Sequence, residues 1–238
     1  MMSHKLKLNR FLLIFFFIAN LVSAAQDFPD KFYIEYELTQ TDKFIGTMII
    51  KYESKNKSYS FEAVTEGKGI LRLLGNRVLY STGEINNKGF IPKKFELKNI
   101  KKPKKDIIAI FKTASEKIEI KYKGEISFLD IKPKALDLAI YLYQFNFEKE
   151  NQKNYNFNVL EGKKIRKYEY KKIRDEGINI NNKNIVTELY EGRIITKENS
   201  KHYVWISKGT YRVPLKLSFG TNFGVTINQK IIKTDLPL

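Results

Sequence analysis

Beyond the first thirty residues, apolar and polar positions alternate with a period of two. Phe32, Ile34, Tyr36 and Leu38 interleave with Tyr33, Glu35, Glu37 and Thr39. Phe44, Gly46, Met48, Ile50 and Tyr52 repeat the pattern, and Tyr59, Phe61, Ala63 and Thr65 follow. Phe111, Thr113 and Ser115 continue it, and Ile118, Ile120 and Tyr122 stand against Glu119, Lys121 and Lys123. Such alternation marks antiparallel strands with one buried face. Turn formers separate the runs at Lys55-Asn56-Lys57, Asn86-Asn87-Lys88-Gly89, Lys123-Gly124, Glu161-Gly162-Lys163 and Lys208-Gly209. Residues 77–85, 90–98, 155–161, 165–173, 185–191, 202–207, 212–219 and 223–233 read as further strands. The pattern predicts a mainly β protein: a single antiparallel, strongly curved sheet or half-barrel of roughly ten to twelve strands. No β–α alternation occurs, which argues against a parallel α/β sheet.

One run departs from period two. From Pro133 to Phe147, Leu136, Ile140, Tyr143 and Phe147 form one stripe at helical spacing, and Leu138, Leu142 and Phe145 form another. Pro133 suits a first helical position, and Asp137 places a carboxylate in the first turns. The spacing predicts a helix over 133–147, apolar nearly all round and therefore buried in the curved sheet. A buried strand is the other reading, because periodicity does not separate the two in a short apolar run. The stretches 100–106, 148–156 and 175–184 read as polar connections, none long enough to divide the chain.

The first twenty-five residues follow a different logic. Lys5, Lys7 and Arg10 precede the apolar run Phe11 to Ile18, and Ser23-Ala24-Ala25 supplies small residues for a cut after Ala25 or Ala24. A basic start, a short apolar stretch and a small-residue site predict a cleaved secretory signal. The apolar run is shorter than the ~20 residues that span a bilayer. The expected organisation is a signal at 1–25 and one β-rich domain at 26–238, placed in the periplasm of a Gram-negative bacterium.

Composition narrows the chemistry. The 238 residues include no cysteine and two histidines. Disulfides, thiolate metal sites and cysteine nucleophiles are therefore excluded. His4 lies in the signal, which leaves His202 in the strand Lys201-His202-Tyr203-Val204-Trp205, where it reads as a surface or edge residue. No nucleophile elbow, His-Glu-x-x-His helix or phosphate-binding loop is present. Carboxylates such as Glu35 and Glu37 share a strand face in the manner of a solvated surface. No cofactor or metal is expected.

The formal charge is +17, from 43 basic and 26 acidic residues. Loss of residues 1–25 removes three cations and no acid, leaving +14. Thirty-six of the basic residues are lysine and seven arginine, alongside 29 isoleucines and 19 asparagines. That bias is what an AT-rich coding sequence produces, and lysine is the weaker residue for bidentate phosphate readout. Nucleic acid is not an expected partner. Two clusters are candidates for contact with an anionic surface: Lys101, Lys102, Lys104 and Lys105, and Lys163, Lys164, Arg166 and Lys167. A sheet curved around a helix also leaves room for an apolar cavity. Leu136, Ile140, Tyr143 and Trp205 are its candidate lining residues.

Several motifs in order resemble a known family. Tyr59 to Ile70 (YSFEAVTEGKGI), Tyr80 to Ile85 (YSTGEI) and Gly89-Phe90-Ile91-Pro92 are similar to exported bacterial proteins grouped as domain of unknown function 3108. Ala135 to Tyr141 (ALDLAIY), Val204-Trp205-Ile206-Ser207 and Tyr211-Arg212-Val213-Pro214 continue the resemblance, which spans 28–234. It implies a periplasmic β-rich protein similar to half-barrel lipoprotein carriers, and it supplies no catalytic residue.

The reading that follows is a non-enzymatic envelope module binding a lipid, another apolar ligand or a protein partner. Two alternatives stand beside it: an interaction protein docking its lysine face on an anionic membrane, and a hydrolase of envelope polymers using carboxylates alone. The signal has a direct check. N-terminal sequencing of the exported protein is expected to begin at Gln26 or Ala25, and a first residue of Met1 or Met2 contradicts cleavage.

Overall fold

The computed structural model describes residues 28–68, 76–150, 152–197, 200–220 and 225–238. The signal at 1–25, and Gly69 and Ile70 of the first motif, lie outside the described residues. Among the described residues, fifteen strands form one sheet. The first half runs β1 (Lys31–Gln40), β2 (Lys43–Lys55), β3 (Ser58–Gly67), β4 (Arg77–Asn86), β5 (Gly89–Asn99), β6 (Ile107–Lys112), β7 (Lys117–Tyr122) and β8 (Glu125–Asp130). The second half runs β9 (Ala135–Asp137), β10 (Asn154–Glu161), β11 (Lys164–Ile180), β12 (Lys183–Ile194), β13 (His202–Ser207), β14 (Pro214–Gly220) and β15 (Thr226–Thr234).

The spatial order is β8-β7-β6-β5-β4-β3-β2-β1-β15-β14-β13-β12-β11-β10-β9. Strands β1 to β8 and β10 to β15 are each a meander of hairpins, and the two are joined in the middle where β1 pairs antiparallel with β15. The sheet is open, with β8 and β9 at its edges. It curls far enough that β9 lies against β5. It is mixed rather than purely antiparallel: β9 runs parallel to β10, with Leu136 opposite Val159.

Three sequence expectations need correction. The 133–147 run is not one helix. Ala135–Asp137 adds a strand to β10, and only Tyr141–Phe147 is helical, in the tighter 3-10 form. Its Tyr143 N–H donates to the Ile140 carbonyl at 2.9 Å, three residues back. Seven residues dominated by Tyr and Phe make a short, poor α-helix former, and runs this short suit the 3-10 form. The asparagine-rich 175–184 stretch is no connection: β11 extends through Ile180 and turns at Asn181-Asn182. Strand β8 escaped notice because its side chains are mostly exposed on both faces, as suits an edge.

The 3-10 helix plugs the inside of the curl. Phe145 is fully buried and faces one flank, with Tyr155, Phe157, Tyr170 and Tyr190 at ring-centroid distances of 4.9, 5.2, 5.3 and 5.2 Å. Tyr143 faces the other flank, at 5.5 Å from Phe32 and 5.2 Å from Phe61. Phe147 packs 5.3 Å from Phe28 and 5.4 Å from Phe90. Burying each such ring contributes roughly 1.5–3 kcal/mol, so the plug is a large share of what holds the flanks together.

Polar contacts fix its main chain. Gln144 accepts from the Phe90 N–H at 3.2 Å and donates to the Lys88 carbonyl at 2.9 Å. Gly89 must be glycine here, because φ is +110° and an added Cβ would meet Gln144 Oε1 at 2.1 Å. On the opposite side Arg212, only 5% exposed, donates to the Phe145 carbonyl at 2.9 Å and to Glu188 at 2.7 Å. Tyr190 and Lys172 also donate to Glu188, at 2.9 and 2.7 Å. Burial pushes the Glu188 carboxyl up, but these three donors outweigh it and hold it below its ordinary range.

Removing one member of a buried pair leaves the other desolvated and unpaired. Arg212→Ala is expected to cost about 3 kcal/mol, near the low end for such losses because Lys172 still reaches Glu188. Urea unfolding monitored by fluorescence checks this, and a loss below about 1 kcal/mol would show that the plug does not depend on the pair.

Candidate functional site

The plug occupies the half of the curl bounded by the β2–β3, β4–β5 and β13–β14 turns. The other half is a cavity of about 980 Å³. Leu38, Met48, Ile50 and Leu79 form one wall, and Leu217 and Ile227 the other. Leu138, Tyr141, Leu142 and Tyr143 make the floor. Strand alternation explains the walls: Ile34 opposes Ile50, and Tyr36 opposes Met48 and Ile231, so alternate side chains of β1 and of the later part of β2 share the inner face. The open end is defined by the strand ends at Gly67, Arg77, Glu161, His202 and Gly220, all of which line it.

Hydroxyl and imidazole groups punctuate the apolar surface. Tyr36 donates to the Pro214 carbonyl at 2.7 Å, and the Tyr143 hydroxyl sits 3.3 Å from that of Tyr36. With the Tyr36 proton committed, Tyr143 is the donor of that pair. His202 has Nδ1 2.9 Å from the Ser200 carbonyl and Nε2 2.8 Å from the Tyr170 hydroxyl. A carbonyl only accepts, so Nδ1 carries the proton and Nε2 accepts from Tyr170. Burial lowers the His202 pKa against the opposing pull of the Ser200 bond. His202 is thus a neutral wall residue of the cavity rather than the surface or edge histidine that its strand position suggested.

Glu161 is the carboxylate of the lining, and it is neutralised in place. Arg166 Nε lies 3.0 Å from it and the Tyr168 hydroxyl donates to it at 3.1 Å. Among the described residues no second carboxylate lines this cavity, so they do not assemble the paired acids of a glycosidase here. Among the described residues, no three His, Asp or Glu side chains group as metal ligands.

Asp137 lies behind the floor. It is fully buried, and its two oxygens accept from Ser81 Oγ at 2.6 Å and from the Ala139 N–H at 2.9 Å. Tyr59 stands 3.0 Å from Ser81 Oγ and completes the chain. Asp137 does cap the turn that follows it, but it also ties β9 to β4 across the closing seam. Burial without a cationic partner pushes its carboxyl up to about 7, against the lowering effect of its hydrogen bonds.

The predicted residues fall in several places. Tyr143 lines the cavity. Leu136 and Ile140 are buried at 3% and 0% exposure in the core behind it. Trp205 opposes Lys216 and points away from the inner face, which Val204 and Ile206 occupy; Lys216 Nζ lies 4.4 Å over its ring. Lys101, Lys102, Lys104 and Lys105 are exposed in the β5–β6 connection, where Pro103–Lys105 forms a 3-10 turn. Lys163 and Lys164 are exposed at the β10–β11 turn, with Lys163 Nζ 5.0 Å over the Tyr122 ring. Arg166 pairs with Glu161 and Lys167 with Glu169 at 3.3 Å. Both clusters lie at the open end of the cavity, which sequence position alone did not reveal. The Ser81–Asp137 pair was also missed, although Asp137 is the lone acid in the apolar run 135–143 and that isolation was a signal.

An open, barrel-like sheet, plugged at one end and hollow and apolar at the other, is the class of protein that these features define. The chain belongs to the family described as protein of unknown function (DUF3108), whose profile matches residues 35–230. Among solved structures it is similar to a beta-barrel-like protein of domain of unknown function DUF1849 from Brucella abortus. That match has 12% identity and a TM-score of 0.56, and covers 87% of this chain and 98% of the other. At that identity the likeness bears on the fold alone. A putative outer membrane lipoprotein-sorting protein domain from Vibrio parahaemolyticus matches at 11% identity with a TM-score of 0.29, covering 89% of this chain and 87% of the other. No curated protein gives a significant match. Among the described residues, no helix is long and apolar enough to cross a membrane.

The raised Asp137 pKa sets a sign for pH. The folded state holds this proton from the ordinary value of 3.8 up to about 7. Its stabilising effect is therefore complete below pH 3.8 and is lost as pH rises through 7. Between about pH 5 and 8 wild type is expected to lose roughly 2–3 kcal/mol that Asp137→Asn does not lose. His202 contributes with the opposite sign in both proteins and cancels in the comparison. Thermal melts of the two proteins across that range test this, and parallel curves contradict it.

Proposed function

We propose that this protein is a non-enzymatic binding or carrier module of the bacterial envelope, holding an apolar ligand in the cavity above the plug. The observation that carries the reading is the cavity itself: about 980 Å³, walled by aliphatic and aromatic side chains and closed at its base. Pockets for small ligands run to ~300–1,000 Å³, so this one suits a lipid-sized molecule. The plug supports the reading because it is tied to both flanks by buried hydrogen bonds and fills only half of the curl. The signal pattern of residues 1–25 supports export, and the neutralised carboxylate, alone among the described lining residues, favours binding over hydrolysis.

Thr65 faces the cavity from β3, and a large side chain there takes up ligand space. Titration with the fluorescent probe N-phenyl-1-naphthylamine is expected to show saturable binding to wild type. Thr65→Trp is expected to weaken it ~10-fold, the equivalent of ~1.4 kcal/mol of lost contact. Absence of binding to wild type, or equal binding by a folded Thr65→Trp protein, overturns the proposal.

A further inference from the structure

The rim of the cavity carries a charge pattern that its walls do not need. Three cations line the open end: Arg77, Lys197 and Lys201. Lys201 is matched by Glu191 at 2.6 Å. Arg77 and Lys197 have no carboxylate partner among the described residues. The lining carboxylate, Glu161, is already held by Arg166 and Tyr168. Among the described residues, the charge left facing the cavity is therefore positive.

The surrounding loops add to it. Arg77 opposes Asn99 at the end of β5, and the Ile100 N–H donates to the Asn76 carbonyl at 3.1 Å. That pairing holds the connection bearing Lys102, Lys104 and Lys105 beside Arg77. The β10–β11 turn, next to Glu161, brings Lys163 and Lys164 to the same end. Asp42, Glu66 and Asp106 also lie at this end, and Asp106 is occupied in accepting from the Asn99 N–H at 2.7 Å. A concave, low-dielectric site edged by one sign of charge focuses its field on whatever enters.

We propose that the cavity takes an amphiphile with an anionic head. Its chain lies among Leu38, Met48, Leu79 and Leu217, and its head sits at the rim between Arg77 and Lys197. This rests on the cavity reading above and adds the charge of the ligand to it. A purely apolar ligand leaves the two rim cations without a partner. A free inorganic anion leaves the aliphatic walls without one.

Three probes of equal chain length separate the terms: hexadecanoate, hexadecanol and hexadecylamine, each below its aggregation limit. Wild type at low salt is expected to bind hexadecanoate ~10-fold more tightly than hexadecanol, with the amine weakest, and added salt should compress the difference. In Arg77→Gln/Lys197→Gln the carboxylate-to-alcohol ratio is expected to fall to about one. In the charge-conserving Arg77→Lys/Lys197→Arg protein it should stay close to the wild-type value. Equal affinity for all three probes overturns the head assignment and leaves the cavity reading standing. So does a charge preference that survives the double Gln substitution. Binding of none of the three overturns both.

Discussion

The two flanks of this sheet meet without a backbone ladder between them, and seven residues stand in for it. Tyr141–Phe147 sends Phe145 into the ring of tyrosines and phenylalanine on one side, and Tyr143 and Phe147 into the aromatics on the other. Gln144 and Arg212 then fix its main chain from opposite directions. A closed barrel satisfies its edge strands with each other. Here the seam between β5 and β9 is satisfied by side chains: Gln144 on the β4–β5 turn, and Asp137 on Ser81. Because the filler is a short 3-10 helix rather than a long α-helix, it occupies only part of the interior. The cavity is the part that it leaves.

This arrangement explains why so much polar chemistry is buried in so apolar a protein. Asp137, Gln144, Glu188 and Arg212 each cost free energy to desolvate, and each has hydrogen-bond partners that offset the cost. Their partners come from different strands, so they specify one closure among the many that aromatic packing alone would permit. The glycine at position 89 belongs to the same device, since Gln144 occupies the space where a side chain would be.

Much of this was legible in the sequence, and the exceptions have physical causes. The period-two runs at 32–38 and 118–122 became strands because each has one buried face. The run at 125–130 did not register, because an edge strand exposed on both sides has no such face. Of the 133–147 stripes, Tyr143 and Phe147 meet one flank and Phe145 the other, while Leu138 and Leu142 line the cavity; burial on nearly all sides erases the period that separates helix from strand. Tyr143 was found through its stripe. Trp205 stood among the candidate cavity-lining residues; it is buried, but its position in the alternation puts it on the opposite face of the sheet, beside Lys216. The two lysine clusters were legible as candidates for contact with an anionic surface, but their common location was not. In a meander every second connection returns to the same end of the sheet, and that places the β5–β6 and β10–β11 connections together.

The pairing of β1 with β15 has a consequence in time. Hairpins within each meander form from near neighbours, which is fast. The central ladder instead joins Tyr36 to Ile231. Until β15 is available, one side of β1 offers unpaired N–H and C=O groups to any extended chain nearby. Formation of the middle of the sheet is therefore the slow, long-range event of folding. The half-formed molecule is most open to mispairing along the line that later becomes its most protected seam.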